Sequence, residues 1–93
     1  MQLTDVPIHA PGVIGRIIDG EAVVVHPQQG KVQVLNPVGA RLWELADGRR
    51  TVAELAQAIV AEYAVDLPRA QADALAFCED LVKREVLTLA GKT

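Results

Sequence analysis

An α+β domain of winged helix-turn-helix type, with an N-terminal three-stranded antiparallel sheet followed by three helices, is what this sequence predicts. Three observations carry that prediction. Asp19-Gly20 stands between two β-branched runs, "VIGRIID" and "EAVVVH", and an Asp-Gly pair there is a strong hairpin signal because both turn positions need positive φ. Asn36-Pro37 and Thr51 with Glu54 mark two helix starts by local capping chemistry. The order βββααα with short connections in 93 residues leaves the helices little choice but to pack on one small sheet.

The elements follow in order. Residues 1–11, with Pro7 and Pro11 and no sustained periodicity, read as an extended lead-in with packing as its only role. Strands are expected at 13–18, 21–26 and 31–35, the last after the turn Pro27-Gln28-Gln29-Gly30. Pro37 suits the first turn of a helix, where its missing N–H has no partner to lose, and Asn36 is a good N-cap. The first helix is expected over about 37–46, with Val38, Leu42 and Leu45 on its core face and Gly48 as its stop. The second, over about 52–63, places Val52, Leu55, Ala56, Ile59 and Tyr63 together. Pro68 opens the third, which runs to about Glu85, and "VLTLAG" is left as a tail. The expected division is an arm at 1–11, one domain at 12–89 and a tail at 90–93.

Composition sets the class. With 51% hydrophobic residues but one Phe, one Trp and one Tyr, the core is built from Val, Leu, Ile and Ala. Cys78 stands alone, so no internal disulfide is possible and a reducing cytoplasm is the expected location. No run approaches the roughly 20 apolar residues of a membrane helix, and no secretory signal opens the chain. No metal or cofactor motif is present. A net charge of −3 argues against a polyanionic partner, because nucleic-acid affinity rests on Lys and Arg neutralising phosphates.

Two features point to binding. On the third helix the apolar arc is wider than one packed stripe needs. Ala70, Ala74, Phe77 and Leu81 suffice for packing, which leaves Gln71, Leu75, Cys78 and Val82 as a second line, either wrapped by the rest of a small domain or open as a groove. The third strand pairs on one side only and offers free N–H and C=O groups, which can accept a peptide strand. Lys31 and Gln33 read as solvent-facing protection of that edge, with Val32 and Val34 on the opposite face.

The stretch "LNPVGARLWELADGRRTVAELAQAIVAEY", followed by Asp73, Ala74, Phe77, Cys78 and Leu81 in a spaced apolar pattern, resembles the PqqD-like family over residues 12–89. These are the recognition elements for precursor peptides that are ribosomally made and then modified. The resemblance implies a winged helix-turn-helix that captures the leader segment of a precursor as an added strand, without catalysis or cofactor, and presents it to a leader peptidase or other modifying enzyme. It implies a slot with Lys31, Val32, Gln33, Val34 and Leu35 on the strand side and Gln71, Leu75, Cys78 and Val82 on the helix side. The family often has Gly where Glu85 precedes Val86-Leu87 here. The chain is similar both to the pyrroloquinoline quinone pathway member and to the separate leader-binding protein of lasso-peptide pathways, and "LNPVGARLW" favours the second.

Two other classes compete. A DNA-binding winged helix would place the third helix in a major groove, but Arg69, Lys83 and Arg84 there face four carboxylates, Asp73, Glu79, Asp80 and Glu85. An enzyme would need a nucleophile with a base and an orienting group. Cys78, His9 and His26 are the candidates, and Cys78 on an apolar helix face reads by default as a small buried hydrophobe.

Overall fold

A computed structural model describes residues 1–91; positions 92 and 93 of the expected tail lie outside the described residues. The elements are β1 (Pro7–His9), β2 (Ile14–Ile18), β3 (Glu21–His26), β4 (Lys31–Leu35), α1 (Pro37–Leu45), α2 (Val52–Glu62), α3 (Leu67–Lys83) and β5 (Leu87–Leu89). The α+β architecture with a three-stranded sheet and three helices is therefore observed. Among the described residues no helix is long and apolar enough to cross a membrane.

Local chemistry places most of the boundaries. Asp19 and Gly20 adopt φ of 52° and 81°, the left-handed pair that a two-residue hairpin requires and that Gly supplies without strain. The Asn36 side chain accepts from the Gly39 N–H at 2.8 Å, and Pro37 follows it at the start of α1. Thr51 and Glu54 form the reciprocal capping box: the Glu54 N–H donates to Thr51 Oγ1 at 3.1 Å and the Thr51 N–H to Glu54 Oε1 at 2.9 Å.

The sheet runs β2-β3-β4, antiparallel throughout. Its register pairs Ala22 with Leu35 and Val24 with Gln33. Ala22, Val24 and Leu35 are buried with Leu42, Trp43, Leu55, Ala74 and Leu81 in one cluster, so the core lies between the inner face of the sheet and the three helices. The outer face carries Ile14, Ile18, Val32 and Val34, all exposed.

The N-terminal arm is not a loose lead-in. β1 pairs with β5 antiparallel, Pro7 opposite Leu89 and His9 opposite Leu87, forming a second, two-stranded sheet from the expected arm and tail. The arm also caps α2: the Val52 and Ala53 N–H groups donate to the carbonyls of Asp5 at 2.9 Å and Leu3 at 3.0 Å. These are donors that the first turn of any helix leaves without an intrahelical partner. His9 stacks on Trp43 with ring centroids 3.6 Å apart, and its Nε2–H donates to the Trp43 carbonyl at 2.7 Å. Strands of three residues are too short to show a periodicity, so pattern reading passes over them.

α3 closes two residues earlier than expected, in a Schellman motif. The Val86 N–H donates to the Leu81 carbonyl at 2.9 Å and the Glu85 N–H to that of Val82 at 3.0 Å. Glu85 takes φ of 64°, the left-handed position where glycine is the residue of least strain, and its carboxylate accepts from Gln29 in the β3–β4 turn. Glu85→Gly should therefore raise stability by about 0.5–1 kcal/mol, a few degrees in thermal midpoint. A lowered midpoint would mean that the link to Gln29 outweighs the backbone strain.

Candidate functional site

The three-stranded sheet has two edges, β2 and β4, and β4 is the one that faces the end of α3. Among the described residues β4 pairs with β3 and with no second strand, so alternate N–H and C=O groups along it point away from the sheet. Its facing reverses the expectation. Lys31 and Gln33 share a face with Leu35, the buried residue that runs under α1, while Val32 and Val34 point outward and are 65% and 63% exposed. Strand parity is set by the residue that must be buried, and counting back by two from Leu35 places Gln33 and Lys31 on the helix side.

On that side lies a cavity of about 450 Å³, lined by Val24 and His26 of β3, Lys31, Val32, Gln33 and Val34 of β4, and Arg84 and Val86 at the end of α3. The slot therefore has a strand wall and a helix wall. Beyond the cavity, past the C-terminal end of β4, Gly39 lets α1 approach closely: a Cβ there would stand 3.1 Å from Phe77 Cε1 and 3.4 Å from Leu35 Cβ. Phe77 and Arg84, two turns apart on α3, thus both flank β4. Turning a helix at about 100° per residue puts Asp73, Phe77, Asp80 and Arg84 on one flank, and Phe77 is half-buried there. Asp80 accepts from Arg84 Nε at 3.0 Å and Asp73 from Arg69 Nε at 3.3 Å.

The expected helix-side line runs elsewhere. Gln71, Leu75 and Val82 are half-buried on the opposite flank; Val82 lines one cavity with Met1, Gln2 and Asp5 of the arm and another with Pro11, Gln28 and Glu85. Cys78 is 0% exposed, in the core stripe with Ala70, Ala74 and Leu81. The structure thus brings Lys31, Val32, Gln33 and Val34 together in one cavity, sets Leu35 beside it in the core, and separates all five from the Gln71, Leu75 and Cys78 line. The arm covers part of that flank, since Met1, Gln2 and Asp5 border the cavity beside Val82. Arg84, Val86, Val24 and His26, which line the cavity, were not in the expected set, nor was Phe77 beside Leu35 and Gly39. The signal available for Phe77 was its place beside Asp73, Asp80 and Arg84, because a core aromatic seldom sits on so charged a flank.

The three candidate reactive groups are not assembled. Burial pushes the Cys78 thiol up to about 12, with Glu79 adding to the shift, so it is not a thiolate near neutral pH. His9 is engaged with Trp43, and His26 lies at the end of β3 in the cavity beside β4. Among the described residues no group of three or more His, Cys, Asp or Glu could hold a metal ion.

A small winged-helix domain with an unpaired strand edge beside a helix flank is a class of peptide-accepting scaffold. The profile of the family described as "Coenzyme PQQ synthesis protein D (PqqD)" matches residues 21–87, and the chain belongs to that family. Among solved structures, that of TbiB1 in complex with the TbiA(beta) leader peptide superposes with a TM-score of 0.80 at 34% identity, over 92% of this chain and 98% of that one. A lasso peptide synthetase B1 complexed with the leader peptide also gives a TM-score of 0.80, at 20% identity over 89% and 98%, and shares the fold. A search of curated proteins returned no match.

Proposed function

We propose that this chain binds the leader segment of a ribosomally made precursor peptide, as a strand added to β4 with side chains inserted towards α3, and presents it to a leader peptidase or other modifying enzyme. The observation that carries this reading is the unpaired β4 edge opening directly onto the cavity that Arg84 and Val86 close from the helix side. Main-chain groups of the guest supply affinity, and pockets for its alternate side chains supply selectivity. Likeness to TbiB1, which was solved with a leader peptide, supports leader binding, and the shared fold of a lasso peptide synthetase B1 favours the lasso-peptide setting. The family description equally supports a peptide chaperone in quinone-cofactor biosynthesis, with the same binding mode. Catalysis belongs to the partner, and the work is placed in the cytoplasm.

Selection from a displayed library of random 20-residue peptides tests the reading. Selected binders should compete with one another for one site and lose at least tenfold in affinity for Phe77→Ala, whereas Leu75→Ala, on the opposite flank, should change affinity less than threefold. Equal losses at both positions, or binders indifferent to Phe77, would place the peptide elsewhere.

A further inference from the structure

His26 is 8% exposed and its Nδ1 is a buried side-chain nitrogen without a hydrogen-bond partner among the described residues. A polar atom left so costs free energy unless something satisfies it, and its place is not random. The His26 residue lines the β4 cavity together with Lys31, whose Cα is paired with that of His26 across the strands, and with Arg84, and on its other side it borders a second cavity with Gln29, Glu85 and Leu87. No carboxylate lines the β4 cavity. The two nearest along the chain are engaged, Asp80 by Arg84 and Glu85 by Gln29, and Lys31 has no ion-pair partner among the described residues. In a chain of net charge −3, two cations and an unsatisfied imidazole around one apolar-floored cavity run against the overall balance.

We propose that this end of the slot is a side-chain subsite for a carboxylate: the strand bound at β4 carries an Asp or Glu that enters between Lys31 and Arg84 and is hydrogen-bonded by the His26 imidazole. The inference rests on the strand-addition reading and adds to it the chemistry of one guest position. Lys31 and Arg84 supply the charge, with Arg84 dividing its donors between Asp80 and the guest. His26, held by the burial of β3, supplies a donor of fixed direction. Val24 and Val86 exclude water from the same space, which strengthens a charge-assisted bond. The subsite sets selectivity, whereas the β4 backbone carries affinity.

The test uses the full chain and peptides selected from the random 20-residue display library. Binders to the wild-type chain should be enriched in Asp or Glu at one position, and replacing that residue by Asn or Gln should weaken binding at least tenfold. The same replacement should cost less than twofold against Lys31→Gln or His26→Leu. The His26 variant removes the unsatisfied nitrogen in favour of an apolar group, and Lys31 is exposed, so at least one of the two keeps its fold. Raising salt should weaken the acidic peptide and leave its amide counterpart nearly unchanged. Binders that protect the β4 amides but show neither acidic enrichment nor coupling to Lys31 and His26 would overturn the subsite and leave the strand-addition reading standing. Binders that leave β4 unprotected would overturn both.

Discussion

Leu81→Asp should abolish cooperative folding. Leu81 is 1% exposed at the centre of the core stripe of α3, and truncating such a leucine costs about 2–5 kcal/mol. A carboxylate there adds a buried charge with no partner, and a domain of this size has only about 5–14 kcal/mol to lose. Phe77→Asp lies on the flank beside β4, where the side chain is half-buried, and should leave a cooperative transition at a lower midpoint. Thermal unfolding followed by circular dichroism separates the two. Equal collapse would return Phe77 to the core and remove it from the slot; a cooperative melt for Leu81→Asp would contradict the packing described for α3.

Proline at successive positions of β4 should split function from folding. Along an antiparallel strand the N–H groups point alternately to the partner and away. Of Val32→Pro and Gln33→Pro, therefore, one removes a bond to β3 and the other removes a donor that only a guest strand can use. One variant should be strongly destabilised. The other should fold, with reduced stability, and lose at least tenfold in affinity for peptides selected on the wild-type chain. If the folded variant binds those peptides undiminished, the guest does not add to this edge.

What could be read from the sequence was what local chemistry dictates. Asp19-Gly20, Asn36-Pro37 and the Thr51–Glu54 box each specify their own backbone geometry, and all three stand where expected. The family and its fold could be read for a similar reason, since the run from Leu35 through Thr51 is a chain of such local signals. What failed was long-range. β1 and β5 are three residues each and meet across nearly the whole chain, so neither announces itself. The facing of β4 was inverted because Lys31 and Gln33 look like surface residues, while the buried Leu35 decides the parity. The expected helix side of the slot lies on the flank away from the β4 cavity, because apolar width on α3 was counted without the N-terminal arm, which lies beside Val82. The β4 side of α3 instead carries Phe77, which the apolarity count assigned to the packed stripe, and Arg84, which it scored as ordinary surface. Glu85 makes the same point at one residue: nothing local favours glutamate at φ of 64°, but the turn it reaches across space holds Gln29.

Amide hydrogen exchange with and without a saturating selected peptide addresses the central idea most directly. Among Lys31 to Leu35, the amides that point away from β3 should exchange fast in the free chain and slow at least tenfold on binding, while those bonded to β3 are already slow. Outward amides of β4 that are protected in the free monomer, or that stay fast when peptide is bound, would contradict it.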